Sequence, residues 1–196
     1  MSILNLGIGF IILFQIFRGE HPLFFLPIFV VLNLLLIFRH SFGLDGADQM
    51  SIIILLTILL CNTFVRHPEI QRLGLYFIGA QLIVSYVAAG IAKLYSREWR
   101  SGIAITGILN TYTYGSNFTR SVICQSKPAS VALCWATILF ESLFPLAIFL
   151  PTEWILGVIA LGVLFHLSIA VVMGLNDFLW AFGAAYPGFY LIGITF

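Results

Sequence analysis

The sequence predicts an all-α fold: a polytopic integral membrane helical bundle of about seven transmembrane helices, with six as the alternative. Three observations carry this. Of 196 residues, 61% are hydrophobic and only 9% charged, where a soluble domain has about 45–50% apolar and about 25% charged residues. The mean hydropathy is +1.07. The apolar runs are far longer than a barrel strand of about 9–11 residues. These values exclude a soluble globular protein and a disordered chain. A net charge of +1 also gives no electrostatic footprint for nucleic acid. The loops are too short for a folded soluble domain, so residues 1–196 are expected to form a single transmembrane domain.

Charged clusters punctuate the runs. The first is Ile3 to Phe17, ended by Arg18-Gly19-Glu20-His21. It lacks the basic start of a cleaved signal peptide, so it is expected to be retained as a span. The second runs from Pro22 to Phe38 and ends at Arg39-His40. The loop Gly43 to Gln49 has turn chemistry, and Asp48 or Gln49 suits a helix cap before the third run, Ser51 to Val65. A weak cation site at Asp45-Gly46-Ala47-Asp48 is the alternative. The fourth run is Gly74 to Tyr95.

An extended polar region follows, from Ser101 to Ser130. Its apolar opening, Gly102 to Leu109, is too short to span and reads as a re-entrant or interfacial piece. Tyr112 and Tyr114 favour the headgroup layer, and Asn117-Phe118-Thr119 fits a glycosylation sequon. Three further runs are Val131 to Leu150, Ile155 to Leu175 and Phe178 to Phe196. With seven spans, Arg39, Arg97, Arg100, Arg120 and Lys127 lie on one side and Arg18, Arg66 and Arg72 on the other. The excess of basic residues makes the first side cytoplasmic, by a thin margin.

Polar side chains inside a bilayer are costly and persist where they have a partner or a task. Gln15, Asn33, Asn62, Gln81, Lys93, Glu141, His166 and Asp177 are the candidates. Lys93 follows Ala89 and Gly90 on one helix face, with Tyr86 a turn further back. Small residues there leave room for a neighbouring helix or a ligand. A lysine taken out of water can serve as a base, whereas one at a helix end can snorkel to the headgroups. Glu141 precedes Pro145 by four residues, so its carbonyl loses its helical partner and the helix is expected to bend. His166 shares a four-residue stripe with Gly162, Ala170 and Gly174. Glu141 and His166 lie at similar distances from the connection Pro151 to Trp154. A carboxylate–imidazole pair between antiparallel neighbours, able to relay protons, is one expectation, and a Glu141 carboxyl that only packs helices, protonated or paired with an arginine, is the other. Metal-binding motifs are absent, and no metal is expected. The three cysteines, Cys61, Cys124 and Cys134, form no C-x-x-C and read as small hydrophobes.

The block Gln81 to Leu94, followed by Trp99-Arg100-Ser101-Gly102, resembles the membrane domain of vitamin K-dependent γ-carboxylase. More broadly it is similar to the HTTM (horizontally transferred transmembrane domain) family. The shared pattern is Q, Y, A-G, K-L, then W-x-x-G. Asp45-Gly46, Glu141 before Pro145, and His166 followed by Phe178 also look like the family. The DoxX-like quinone-linked proteins are a more distant resemblance. The resemblance implies a helical bundle around a lipid-side cavity. Lys93 would be the base, with Glu141 and His166 as a supporting catalytic pair. Tyr86, Gly90 and Trp99 would contact a vitamin K-like quinone. The carboxylase has two adjacent lysines where this chain has Ala92-Lys93. Its propeptide-binding lumenal domain has no counterpart in these residues. Small bacterial members include a type that helps mature a secreted peptide toxin. Two classes are therefore carried forward. One is a quinone- or lipid-linked membrane enzyme or peptide maturation factor. The other is a non-catalytic subunit or scaffold packed within a larger membrane complex. The expected partners are the lipid bilayer and either another membrane protein or a secreted peptide. The expected location is the cell (inner) membrane.

Overall fold

The computed structural model describes residues 3–19, 21–39, 44–64, 67–116 and 119–195. All regular structure among them is helical. In chain order the helices are α1 (Ile3–Phe17), α2 (Phe25–Arg39), α3 (Gly46–Thr63), α4 (Pro68–Tyr95), α5 (Arg97–Arg100), α6 (Ile103–Leu109), α7 (Lys127–Leu143), α8 (Thr152–Met173) and α9 (Asn176–Gly193). A π-helical turn, Arg120–Cys124, precedes α7, and a 3-10 helix, Phe144–Phe149, follows it.

Four of these segments are long and apolar enough to cross a membrane: Gly46–Thr63, Pro68–Tyr95, Lys127–Phe149 and Thr152–Met173. The sequence predicts about seven, and the three remaining runs do form helices. α1 and α2 have 15 residues each. At 1.5 Å per residue that is about 22 Å, less than the ~30 Å hydrocarbon core. α9 opens on Asn176-Asp177 and carries Pro187 inside it.

Local chemistry explains the boundaries. α3 starts ahead of the predicted Ser51 because the cap is Asp45, not Asp48 or Gln49. Asp45 Oδ1 accepts from the backbone N–H of Ala47 (2.8 Å) and Asp48 (2.9 Å). The Asp48 carboxylate accepts in return from Asp45 N–H at 3.4 Å. This capping box draws the polar loop into the first turn. α4 begins at Pro68, where the missing N–H costs nothing. Lys127 opens α7 behind the Ser126 cap. Pro145 ends α7 after Leu143 and hands the chain to the 3-10 helix, as its spacing from Glu141 predicts. Gly174, at φ 75°, terminates α8 in the left-handed conformation instead of continuing the His166 stripe.

The chain divides into two compact units, Met1–Ile78 and Gly79–Phe196, and the boundary falls inside α4. In the first unit α1 packs on α2 and α2 on α3. Ile8, Ile12, Leu26 and Val30 are its buried core, joined by Phe29, Leu55 and Leu59. Gly74, near the start of α4, lies against Cys61 and Thr57 of α3.

In the second unit α5 and α6 pack on α7, and α8 pairs with α9. The close approaches define an antiparallel register. A Cβ on Gly90 would meet Ser142 Oγ at 2.6 Å and Ser142 N at 2.8 Å. Trp135 Nε1 donates to the carbonyl of Arg100 (3.3 Å). Gly102 has φ 84°, and a Cβ there would meet Val131 N at 2.9 Å, so glycine is needed for both space and conformation. On the other pair, Gly193 faces Ile155 and Gly162 faces Tyr186. Leu82, Tyr86, Ile138, Ile155 and Phe189 are buried in the core. The polar region between α6 and α7 is gathered by Arg120. Its guanidinium donates to the carbonyls of Leu109 (3.3 Å), Thr111 (2.8 Å) and Gly115 (3.4 Å). Asn117 and Phe118 of the sequon lie outside the described residues.

Candidate functional site

The second unit gathers the polar side chains of α4, α7, α8 and α9 into two groups. Lys93 and Glu141 form the first. Lys93 Nζ donates to Glu141 Oε2 at 2.6 Å. The two side chains keep 20% and 10% of their exposure. Lys93 Nζ also stands 5.1 Å from the centre of the Trp99 ring, within cation–π range. Two neighbours create this arrangement. Gly90 lets α7 approach α4, which brings Glu141 level with Lys93. The Ser96 cap folds the chain back into α5, since its hydroxyl accepts from Trp99 N–H (3.3 Å). That turn sets the indole beside the ammonium. Ser96 also donates to Glu98 Oε2 (2.7 Å). This bond holds the Glu98 carboxyl below the usual carboxylate range.

Tyr86, His166 and Tyr186 form the second group. Tyr86 Oη lies 3.0 Å from His166 Nε2 and 3.0 Å from Tyr186 Oη. Tyr86 is 2% exposed and His166 4%. The Tyr86 ring stacks on Phe144 (4.2 Å between centres, 19° between planes) and meets Phe140 and Phe182 edge-on. His166 lies between Phe165, Phe178 and Phe182. His166 Nδ1 is buried and has no hydrogen-bond partner among the described residues. One proton arrangement leaves fewest groups unsatisfied. Tyr186 donates to Tyr86, Tyr86 donates to His166 Nε2, and the imidazole proton sits on Nδ1. The opposite direction leaves the Tyr186 hydroxyl without an acceptor and Nδ1 without a donor.

The expected Glu141–His166 pair is therefore not formed. Glu141 is on the face of α7 that meets α4, so its partner is Lys93. His166 faces α9 and the inner turn of α4, so its partner is Tyr86. Similar depth on adjacent helices does not make two side chains neighbours when they leave their helices in different directions.

No family model, curated protein or solved structure matches this chain. The site is thus read from its own chemistry. Gly90, Tyr86, Lys93 and Trp99 divide by what they can still touch. Gly90 is covered by Ser142, and Tyr86 is enclosed by aromatic rings. Lys93 and Trp99 are half-buried and keep an open side. On that side Lys93 offers an ammonium donor and Trp99 an indole face. The surfaces of Tyr86 and Gly90 are taken by packing.

Tyr186 was not among the sequence candidates. Tyr186 precedes Pro187 and follows Phe182 by four residues on one face of α9. Tyrosine in an apolar run reads as an interface residue, and nothing local marks one that points inward. Ser142, whose hydroxyl is buried and has no hydrogen-bond partner among the described residues, is hidden in the same way by the apolar run around it.

Proposed function

We propose that this chain is a multi-pass integral protein of the cell (inner) membrane. In this reading it is an HTTM-like enzyme or peptide maturation factor acting on a quinone- or lipid-like substrate, with Lys93 as base. The observation that supports it is the 2.6 Å contact between Lys93 Nζ and Glu141 Oε2 beside Trp99. An ammonium has no lone pair and cannot act as a base. A proton passed from Nζ to Oε2 leaves a neutral amine next to a neutral acid. An apolar setting penalises the charged forms and so favours this exchange. Glu141 is then the proton store for Lys93, and Trp99 holds the amine end in place. His166 and Tyr86 orient the helices behind the pair and do not touch the reacting atoms.

The quinone, where it is bound, supplies the redox chemistry. Lys93 would orient its oxygen and Trp99 its ring face. The test is mass spectrometry of the organic extract from purified wild type, Lys93→Ala and Glu141→Gln. A stoichiometric quinone in wild type that is depleted in Lys93→Ala, with the helix content of the variant unchanged, supports the reading. Ordinary phospholipid alone in all three samples overturns it.

The second reading is a non-catalytic membrane subunit or scaffold. It is favoured by the closed packing at Gly90 and Tyr86, where helix contacts use the surfaces that a ligand would need. Under it, no quinone is present and a second chain co-purifies with the wild type.

A further inference from the structure

Every Lys and Arg of the second unit stands at one end of it: Lys93, Arg97, Arg100, Arg120 and Lys127. The packing places them there. Gly90 lies against Ser142, at the close of α7, and Gly102 against Val131, near its start. The Trp135 indole donates to the Arg100 carbonyl (3.3 Å). Lys127 opens α7 one turn before Val131. The π-helical turn packs on α6 and α7 and brings Arg120 to the same end. Toward the opposite end, residues 144–165 and 187–196 hold one charged residue, Glu153. Two of the five cations are used inside the protein: Lys93 bonds Glu141, and Arg120 bonds backbone carbonyls. Arg97, Arg100 and Lys127 are exposed.

We infer that Arg97, Arg100 and Lys127 form a docking surface for the headgroups of anionic phospholipids in the surrounding leaflet. Arg97 and Arg100 are three residues apart on α5 and share a face. Their guanidinium forks match phosphate oxygens, and Lys127 adds a compact positive charge beside them. Glu98 lies about 100° round the helix from Arg97, and its carboxylate accepts from the Ser96 hydroxyl at 2.7 Å. Asp177, in the first turn of α9, is the other acidic residue of this end, and the exposed cations outnumber the two acids. Depth favours a lipid over a soluble anion. Tyr95 and Tyr112 are 81% and 98% exposed, and Trp99 and Trp135 stand beside them in the chain fold. Such aromatic residues settle at the headgroup layer, which puts the three cations level with lipid phosphates. The surface uses none of Lys93, Glu141 or Trp99, so it stands apart from the reading of Lys93 as a base.

Tryptophan quenching by brominated lipids tests it. The full chain carries Trp154→Phe, which removes the tryptophan at the opposite end and leaves Trp99, Trp135 and Trp180 as reporters. It is placed in phosphatidylcholine bilayers doped with dibrominated phosphatidylglycerol or, at equal mole fraction, dibrominated phosphatidylcholine. The ratio of quenching gives the relative association of the two lipids. Phosphatidylglycerol should be preferred at least about fivefold at low salt, the effect of roughly one basic residue near an anionic surface. In about 1 M sodium chloride, where the Debye length is ~3 Å, the preference should fall to within about twofold. Arg97→Gln/Arg100→Gln/Lys127→Gln should do the same at low salt with helix content unchanged, and Glu153→Gln should leave the preference as it was. Arg97→Gln/Lys127→Gln replaces the triple variant should that not fold, and the salt series reads the intact side chains in either case. Equal quenching by both lipids, a preference that survives salt, or one undiminished in the folded variant overturns the proposal. So does a loss caused by inorganic phosphate and not by chloride at equal ionic strength, which would assign the surface to a free anion.

Discussion

Lys93 Nζ and Glu141 Oε2, 48 residues apart in the chain, meet at 2.6 Å, and the approach of their helices depends on Gly90 lying against Ser142. One contact sets the charge pattern of the site and the other sets the backbone distance that allows it. The predictions below separate the two.

Removing one partner leaves the other charge uncompensated. Lys93→Met and Glu141→Leu should each cost about 3 kcal/mol, at the low end for a buried pair because Lys93 keeps 20% of its exposure. The double variant Lys93→Met/Glu141→Leu should return to within about 1 kcal/mol of wild type. Denaturant unfolding in mild detergent reads all four proteins. Additive losses in the double variant would mean that the pair is not coupled.

Gly90→Ala should destabilise the second unit by about 1–3 kcal/mol. The new Cβ would press on the Ser142 backbone, which cannot rotate away. Gly107 in α6 has nothing within 4 Å of an added Cβ. Gly107→Ala should instead gain about 0.5–1 kcal/mol, the usual cost of glycine inside a helix. Thermal unfolding of the two variants side by side checks the difference in sign.

The hydrogen-bond chain Tyr186 to Tyr86 to His166 is directional. Tyr186→Phe removes its outer donor only and should cost about 1 kcal/mol. Tyr86→Phe strips His166 Nε2 and the Tyr186 hydroxyl together and should cost about 2–3 kcal/mol. Equal losses would mean that Tyr86 does not hold both bonds.

Acid should loosen the turn that holds Trp99. The Glu98 carboxyl is held below its usual range by the Ser96 hydroxyl. A depressed carboxylate contributes stability above its unfolded pKa and loses it as pH falls through the folded value. The Trp99 indole should therefore stay ordered at neutral pH and become mobile only in acid, below the ordinary glutamate range. Fluorescence of a protein with Trp99 as its one tryptophan (Trp135→Phe, Trp154→Phe, Trp180→Phe) follows this. In Ser96→Ala, which lacks the hydroxyl that couples Glu98 to the turn, this acid transition should be lost.

Much of this architecture is written in local pattern. The runs Ile3 to Phe17 and Gly102 to Leu109 could be read within a residue because charged or polar clusters bound them. The turn at Pro145 could be read because a proline removes a hydrogen bond wherever it stands. The start of α3 was missed because a capping box recruits polar loop residues into a helix, and hydropathy cannot see a side chain bonding to its own backbone.

Composition and spacing settle the helical, membrane-compatible class, the short α6, and the candidacy of Lys93, Glu141 and His166. Those properties follow from hydrophobicity and backbone chemistry, which act over a few turns. The pairing of the candidates came from three dimensions alone. Glu141 bonds Lys93 and not His166, His166 bonds Tyr86, and Tyr186 joins them unannounced. The reason is geometric. A helix sends successive side chains out about 100° apart, so partners depend on which faces meet, and those faces are chosen by distant glycines such as Gly90 and Gly162.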